Sequence, residues 1–283
     1  MINPIINAQL KKYKLQKPAD EENALKEILQ EVALFSLSTT DFFSKALFQG
    51  GTALRILHQL PRFSEDLDFI LKKPTKNFEW KKYTDEMKKA FSLYGITPEI
   101  QDREKAKIAV KKMFLKDNSI GKILELNFQH HAHKKLLIKF EIDTNPPNGS
   151  NEERKYLDFP EDYSIAAQDL PSNFAGKCHA LLCREYLKGR DWFDFLWYVA
   201  QRTTINFVFL KNAFNQNSPW KKQSLSFDKA WLIQALKNKI VTVDWKKAVD
   251  EVEQFTGEDQ QRGLKLWSDD FFLDRVEKLE KYL

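Results

Sequence analysis

The chain has 283 residues, 42% hydrophobic and 13% aromatic with 22 Phe, enough apolar material for a core in one large domain or two modest ones. Its formal net charge of +5, from 45 basic and 40 acidic residues, is compatible with a polyanionic partner without demanding one, and otherwise describes a lysine-rich solvated surface. No stretch reaches roughly 18 uninterrupted apolar residues, which excludes a transmembrane helix, and the start Met1-Ile2-Asn3-Pro4 does not read as a signal peptide.

In chain order, residues 1–19 are polar, contain two prolines and predict an arm. Asp20 is positioned to cap a helix running to about Leu37, with Ala24, Leu25, Ile28, Leu29, Val32 and Ala33 on one face. A short helix follows, with Thr40 as cap and Phe42, Phe43 and Ala46 inward. Gln49-Gly50-Gly51-Thr52 then predicts a glycine turn opening a helix from Thr52 to about Leu60, and Leu67 to Leu71 a strand. Two glycines let backbone approach a ligand, and a helix start offers unpaired N–H groups to an anion. Asp66 and Asp68 lie two apart on an extended segment, so their carboxylates share a face. A phosphate cradle beside paired carboxylates points to Mg²⁺ with a nucleoside triphosphate, because magnesium takes oxygen ligands and shares its coordination with substrate phosphates.

Trp80 to Tyr94 predicts a helix stopped by Gly95. Thr97–Ile100, Ile108–Phe114, Ile123–Phe128 and Leu136–Ile142 predict strands, the last two joined as a hairpin through His130, His131 and His133. That histidine cluster reads as a polar turn, with no carboxylate in register to complete a metal site. Alternation over Leu136–Asp143 puts Lys139, Glu141 and Asp143 on one face. The run Asn145-Pro146-Pro147-Asn148-Gly149 is read as the end of the sheet.

From about Asp162 the pattern is helical. Ser172 or Asn173 caps a helix through Lys177 to Leu187, Gly189 ends it, and Arg190 to about Gln201 forms the next. Cys178 and Cys183, five apart on the first of these, match neither a zinc ribbon nor a redox pair, and face different sides; no disulfide is expected, which suits a reducing cytoplasm. Residues 205–283 are predicted helical, with Ser226, Asp244 and Ser268 at caps and Trp231 and Trp245 as core.

The order and spacing of Phe48-Gln49-Gly50-Gly51-Thr52-Ala53-Leu54 and Arg62-Phe63-Ser64-Glu65-Asp66-Leu67-Asp68-Phe69 resemble the signature of the DNA polymerase β nucleotidyltransferase superfamily, and within it the AbiEii/AbiGii toxin family of abortive-infection and toxin–antitoxin systems. The resemblance implies an α/β fold: a small mixed sheet with N-terminal helices over residues 1–155, followed by a helical domain over 156–283. It implies a third carboxylate on a neighbouring strand; Phe140-Glu141-Ile142 fits that pattern better than Ile142-Asp143-Thr144, so Glu141 takes the role with Asp143 as runner-up. Lys177, Arg184 and Arg190-Asp191-x-x-Asp194 are similar to the family's later motif, in which the lysine serves the triphosphate. Asp66, Asp68 and Glu141 are thus the expected metal ligands of a two-Mg²⁺ site. Gly50, Gly51, Thr52, Ser64, Lys177, Arg190 and Asp191 are the expected nucleotide-binding residues. Asp191 and Asp194 could also clamp arginine side chains. The function implied is nucleotide transfer to RNA, tRNA in particular, by a toxin held in check by an antitoxin. Transfer to a protein or small molecule, and nucleotide binding without turnover, stay open.

Overall fold

In the computed structural model, residues 3–102, 109–128, 135–221, 223 and 225–283 are described. Among them, seven strands form one mixed sheet: β1 (Ala46–Gln49), β2 (Asp66–Leu71), β3 (Glu99–Asp102), β4 (Val110–Asp117), β5 (Leu136–Asp143), β6 (Glu152–Leu157) and β7 (Tyr163–Gln168), in the order β3-β4-β5-β2-β1-β7-β6. β2 lies antiparallel to β1 and parallel to β5, which in turn pairs antiparallel with β4. Strict alternation in β5 buries Leu136, Ile138, Phe140 and Ile142 and leaves Lys139, Glu141 and Asp143 half-buried on the other face. Register is strongly specified here, because a slip of one residue would send the whole apolar set outward.

Helices cover the buried face. α1 (Pro4–Leu10) and α2 (Pro18–Ser38) are followed by α3 (Phe42–Lys45), α4 (Gly50–His58) and α5 (Lys81–Leu93). The N-terminal segment is therefore not a polar arm: Asn3 caps α1, and Ile6 and Leu10 are buried in the core. Asp20 sits three residues inside α2, where its carboxylate accepts the Gln16 and Lys17 amides, both at 3.1 Å. The N-cap position of α3 is Asp41 rather than Thr40, although the Thr40 hydroxyl accepts the Phe42 amide at 3.1 Å. The core beneath β1, β2 and β5 is rich in aromatics; Phe42 packs edge-on to Phe69 at 4.9 Å and parallel to Trp80 at 5.7 Å.

Two strand expectations fail for identifiable reasons. Ile123–Phe128 forms no strand, because its amides are taken by side chains: Glu125 N–H donates to Asn7, and Asn127 and Phe128 N–H donate to the Glu21 carboxylate at 2.6 and 3.1 Å. His130, His131 and His133 lie outside the described residues, and β5 pairs with β4 instead. Nor does the sheet end at Asn145–Gly149. β7 pairs parallel with β1, and β6 completes that edge; its sequence, Glu152-Glu153-Arg154-Lys155-Tyr156-Leu157, carries almost no apolar signal because no face of it is fully buried.

The packing divides the chain into two units. Unit 1 comprises Met1–Gln59, Phe63–Pro146 and Glu153–Ala167; unit 2 comprises Leu60–Arg62, Pro147–Glu152 and Gln168–Leu283. Residues 155 and 156, the boundary read from sequence, lie inside β6. Unit 2 contains α6 (Leu170–Cys183), α7 (Gly189–Ala200), α8 (Phe207–Gln216), α9 (Lys229–Ile240), α10 (Trp245–Glu253), α11 (Glu258–Leu264) and α12 (Asp269–Tyr282). Asp169, rather than Ser172 or Asn173, caps α6, and α6 stops four residues short of Leu187. Asp244 and Ser268 cap α10 and α12, whereas Asp228 caps α9 and Ser226 donates to it. Tryptophans serve packing: Trp245 stacks on Phe272 at 4.0 Å, and Trp231 meets Phe214 edge-on at 5.1 Å. Both cysteines are free thiols, and burial pushes the Cys183 thiol up to about 11.

Candidate active site

In unit 1 the site is assembled from β2, β5 and the start of α4. β2 and β5 are in register, so Asp66 stands beside Lys139 and Asp68 beside Glu141, while Leu67 and Phe69 face the core with Phe140 and Ile142. Three carboxylates thereby share one sheet face. Asp143 is opposite Ile70, one pleat farther from Asp66, and its carboxylate accepts the Asn145 amide at 2.8 Å. Burial raises the Asp143 carboxyl above its ordinary value.

The acids are bridged by lysines. Lys139 Nζ lies 3.0 Å from Asp66 and 3.2 Å from Glu141, and Lys112 Nζ is 2.7 Å from Glu141. Burial works against the Glu141 charge, but Lys112 and Lys139 outweigh it and hold the carboxyl below its usual range. Burial likewise opposes the Lys139 charge, and Asp66 and Glu141 outweigh it in the other direction. Sequence reading placed Lys139 on this face but missed its partners, because the pairing depends on the β2–β5 and β4–β5 registers. Among the described residues, no group of three His, Cys, Asp or Glu converges closely enough to hold a metal ion. The donors are nevertheless hard carboxylate oxygens of the kind Mg²⁺ takes, and Lys139 already sets positive charge between two of them.

α4 begins at Gly50, earlier than the glycine turn implied, with φ +80° at that residue. A Cβ here would lie 2.8 Å from the Asp68 carboxylate, so only glycine lets this backbone approach the acid. No side chain caps the first turn of α4, which leaves its dipole directed at this end of the sheet. Thr52 is fully buried and its hydroxyl donates to the Asp66 carbonyl, so it ties α4 to β2. Ser64 and Glu65 immediately precede β2, and their carbonyls accept from the buried Gln30 amide at 3.0 and 2.8 Å. Gln30 carries no sequence signal for this role; it sits on an amphipathic helix and its partners lie more than thirty residues away.

The later motif folds into an ion-pair network in unit 2. Lys177, on α6, puts Nζ 2.6 Å from Asp191 and 2.8 Å from Asp194, both on α7. Arg62 reaches Asp194 through two parallel bonds of 2.7 Å, and Arg184 reaches Asp191 at 2.6 Å. The expected clamping of arginines by these aspartates is present. Arg190 is turned to α10, where its guanidinium donates to Glu251 at 2.8 Å and lies over Phe255 at 4.0 Å. Gly189 permits that close packing: a Cβ would meet the Ala248 carbonyl oxygen at 1.8 Å.

Burial opposes the Asp191 charge, but Lys177, Arg184 and Lys188 override it and pull the carboxyl down to about 2 from an ordinary 3.8. A depressed folded value means stability that is present in full above 3.8 and lost as pH falls toward 2. Denaturant titrations at a series of pH values should show this loss in the wild type, and a flatter profile over the same window in Asp191→Asn. Equal slopes would remove Asp191 as its source.

Two solved structures are similar over most of their length. MenT4, a nucleotidyltransferase toxin from Mycobacterium tuberculosis, matches at TM-score 0.57 and 15% identity over 96% of this chain and 89% of its own. A candidate nucleotidyltransferase from H. pylori matches at TM-score 0.50 and 19% identity over 90% of this chain and 96% of its own. No curated protein matches the chain. The seven-stranded sheet flanked by helices thus has the fold of the nucleotidyltransferase class. Residues 32–275 match the family model described as nucleotidyl transferase AbiEii toxin, type IV toxin–antitoxin system, and the chain belongs to that family.

Proposed function

We propose that the protein transfers a nucleotide from a nucleoside triphosphate to an acceptor hydroxyl on RNA, with tRNA the expected acceptor, in a metal-dependent reaction. The observation that carries this reading is the register of β2 against β5, which aligns Asp66, Asp68 and Glu141 on one face beside the glycine-opened start of α4. Those three carboxylates would hold Mg²⁺, which when bound supplies positive charge to the triphosphate and acidifies the acceptor hydroxyl. The first turn of α4 supplies N–H groups and a positive dipole end for phosphate, and Gly50 and Gly51 keep its approach open. Thr52 and Ser64 support this site from beneath, through the Asp66 carbonyl and the Gln30 amide. Lys139 is a counter-ion that bridges Asp66 and Glu141 before a metal arrives, and with Lys112 it favours the charged form of Glu141. Lys177 is assigned to the triphosphate on the strength of the family motif. Asp191 and Asp194 keep its ammonium charged, overcoming burial, while Arg190 has a structural part. An antitoxin is the expected protein partner. No helix among the described residues is long and apolar enough to cross a membrane.

Incubation with total RNA and each labelled triphosphate tests the reading. Label should enter an RNA band that ribonuclease removes, and Lys177→Ala should weaken triphosphate binding in a direct titration. Label that survives ribonuclease and disappears with protease would make the acceptor a protein.

A further inference from the structure

Unit 1 carries a second feature at the opposite end of β2. Beyond Leu71 the chain turns through Lys72-Lys73-Pro74-Thr75-Lys76-Asn77 into Phe78 and α5, and a cavity of about 480 Å³ opens there. Its buried lining is apolar and aromatic: Leu71, Phe78 and Tyr83. Its exposed lining is cationic, with Lys45, Lys72, Lys73 and Lys82 set against a single glutamate, Glu79. Lys76 and Lys81 add charge in the same segment, and the nearby acid Asp41 is already paired with Lys45 and accepts from the Tyr83 hydroxyl at 3.2 Å.

The walls are fixed before any ligand arrives. The Lys72 amide donates to the Lys45 carbonyl at 2.8 Å, and the Thr75 amide donates to the Thr144 carbonyl at 3.0 Å. The Phe78 carbonyl accepts from Lys111 Nζ, the Trp80 indole donates to the Lys111 carbonyl at 3.3 Å, and Phe78 stacks on Tyr83 at 5.9 Å. None of these residues belongs to the carboxylate site. Lys72 lies four residues beyond Asp68, roughly 13 Å along an extended strand.

An apolar aromatic cavity ringed by ammonium groups suits a ligand with a flat uncharged body and flanking negative charges. Single-stranded nucleic acid has that form: a base stacks or buries while neighbouring phosphates meet lysines. We infer that this cavity is a docking site for single-stranded RNA, one base entering it and the adjacent phosphates lying on Lys72, Lys73 and Lys82. The inference rests on the RNA-acceptor reading and deepens it: the acceptor is held at a distance from the carboxylates, so binding and chemistry are separable.

The test measures RNA binding without turnover. Fluorescein-labelled tRNA and a short single-stranded RNA are titrated against wild type, Lys72→Glu/Lys73→Glu/Lys82→Glu, and Ser44→Trp, across a salt series. A matched control, Lys211→Glu/Lys246→Glu/Lys265→Glu, makes the same charge change on exposed lysines of unit 2. The triple variant at the cavity should lose at least about tenfold in affinity and about 2 in the salt slope, in line with three fewer phosphate contacts. Ser44→Trp, which fills the cavity at unchanged charge, should lose about fivefold or more with an unaltered slope, the low end of a lost stacking contact. Triphosphate affinity should stay at the wild-type value in both, and the control should lose far less. Equal losses in the cavity and control variants, or an unaffected Ser44→Trp, would overturn the site. If wild type labels RNA while the cavity variants bind it normally, only this inference falls. If wild type labels protein and not RNA, the RNA reading and the docking site fall together.

Discussion

Asp68→Ala is expected to abolish nucleotide transfer while leaving the protein folded. Asp68 is half-buried, stands in register with Glu141 and lies against Gly50 at the start of α4. Loss of an outer partner to a metal site already costs about 10–100-fold, so loss of a direct ligand should exceed about 100-fold in transfer rate. The stability cost should be small beside the loss of activity, since the half-buried side chain belongs to no apolar cluster. A transfer assay at saturating Mg²⁺, read beside a thermal melt, separates the two effects. Undiminished transfer would remove Asp68 from the metal site. Loss of transfer together with collapse of the melt would show that Asp68 holds the fold.

The largest stability effect is expected at Asp194. It is fully buried, and its two oxygens meet Arg62, which is 2% exposed, as well as Lys177. Asp194→Ala leaves two cations in a dry interior without this counter-charge. Breaking a buried pair from one side costs about 3–5 kcal/mol, because the charge left behind is not resolvated. The melting temperature should drop by on the order of 10 °C. The double variant Arg62→Met/Asp194→Leu should recover much of that loss, since a well-packed apolar pair can replace a buried ion pair at little cost. A single variant as stable as wild type, or a double variant as unstable as the single, would refute the account. If Asp194 also supports the Lys177 ammonium toward triphosphate, the double variant regains stability without regaining triphosphate affinity.

Much of the site was legible in the amino-acid sequence because its determinants are local. Two glycines followed by a helical pattern, and acids two apart on an alternating strand, need only backbone geometry to be read, and α4, β2 and β5 follow that reading. The amphipathic faces of α2 and α5 were legible for the same reason: burial imposes a period on the sequence. Tertiary structure alone decided what depends on distant partners. Whether Ile123–Phe128 forms a strand turned on Glu21 and Asn7, whose side chains take its amides first. The helix hidden in the polar N-terminal stretch became stable because Ile6 and Leu10 found a core to enter. β6 shows no period because it lies at a polar sheet edge, where no face is fully buried. Asp66 and Asp68 were visible from their spacing and Glu141 from the family resemblance, but the pairing of Asp66 and Glu141 with Lys139 and Lys112 was not. Alternation fixes which face a residue takes, whereas the ion it meets is set by cross-strand register, which belongs to the folded sheet and not to any one segment.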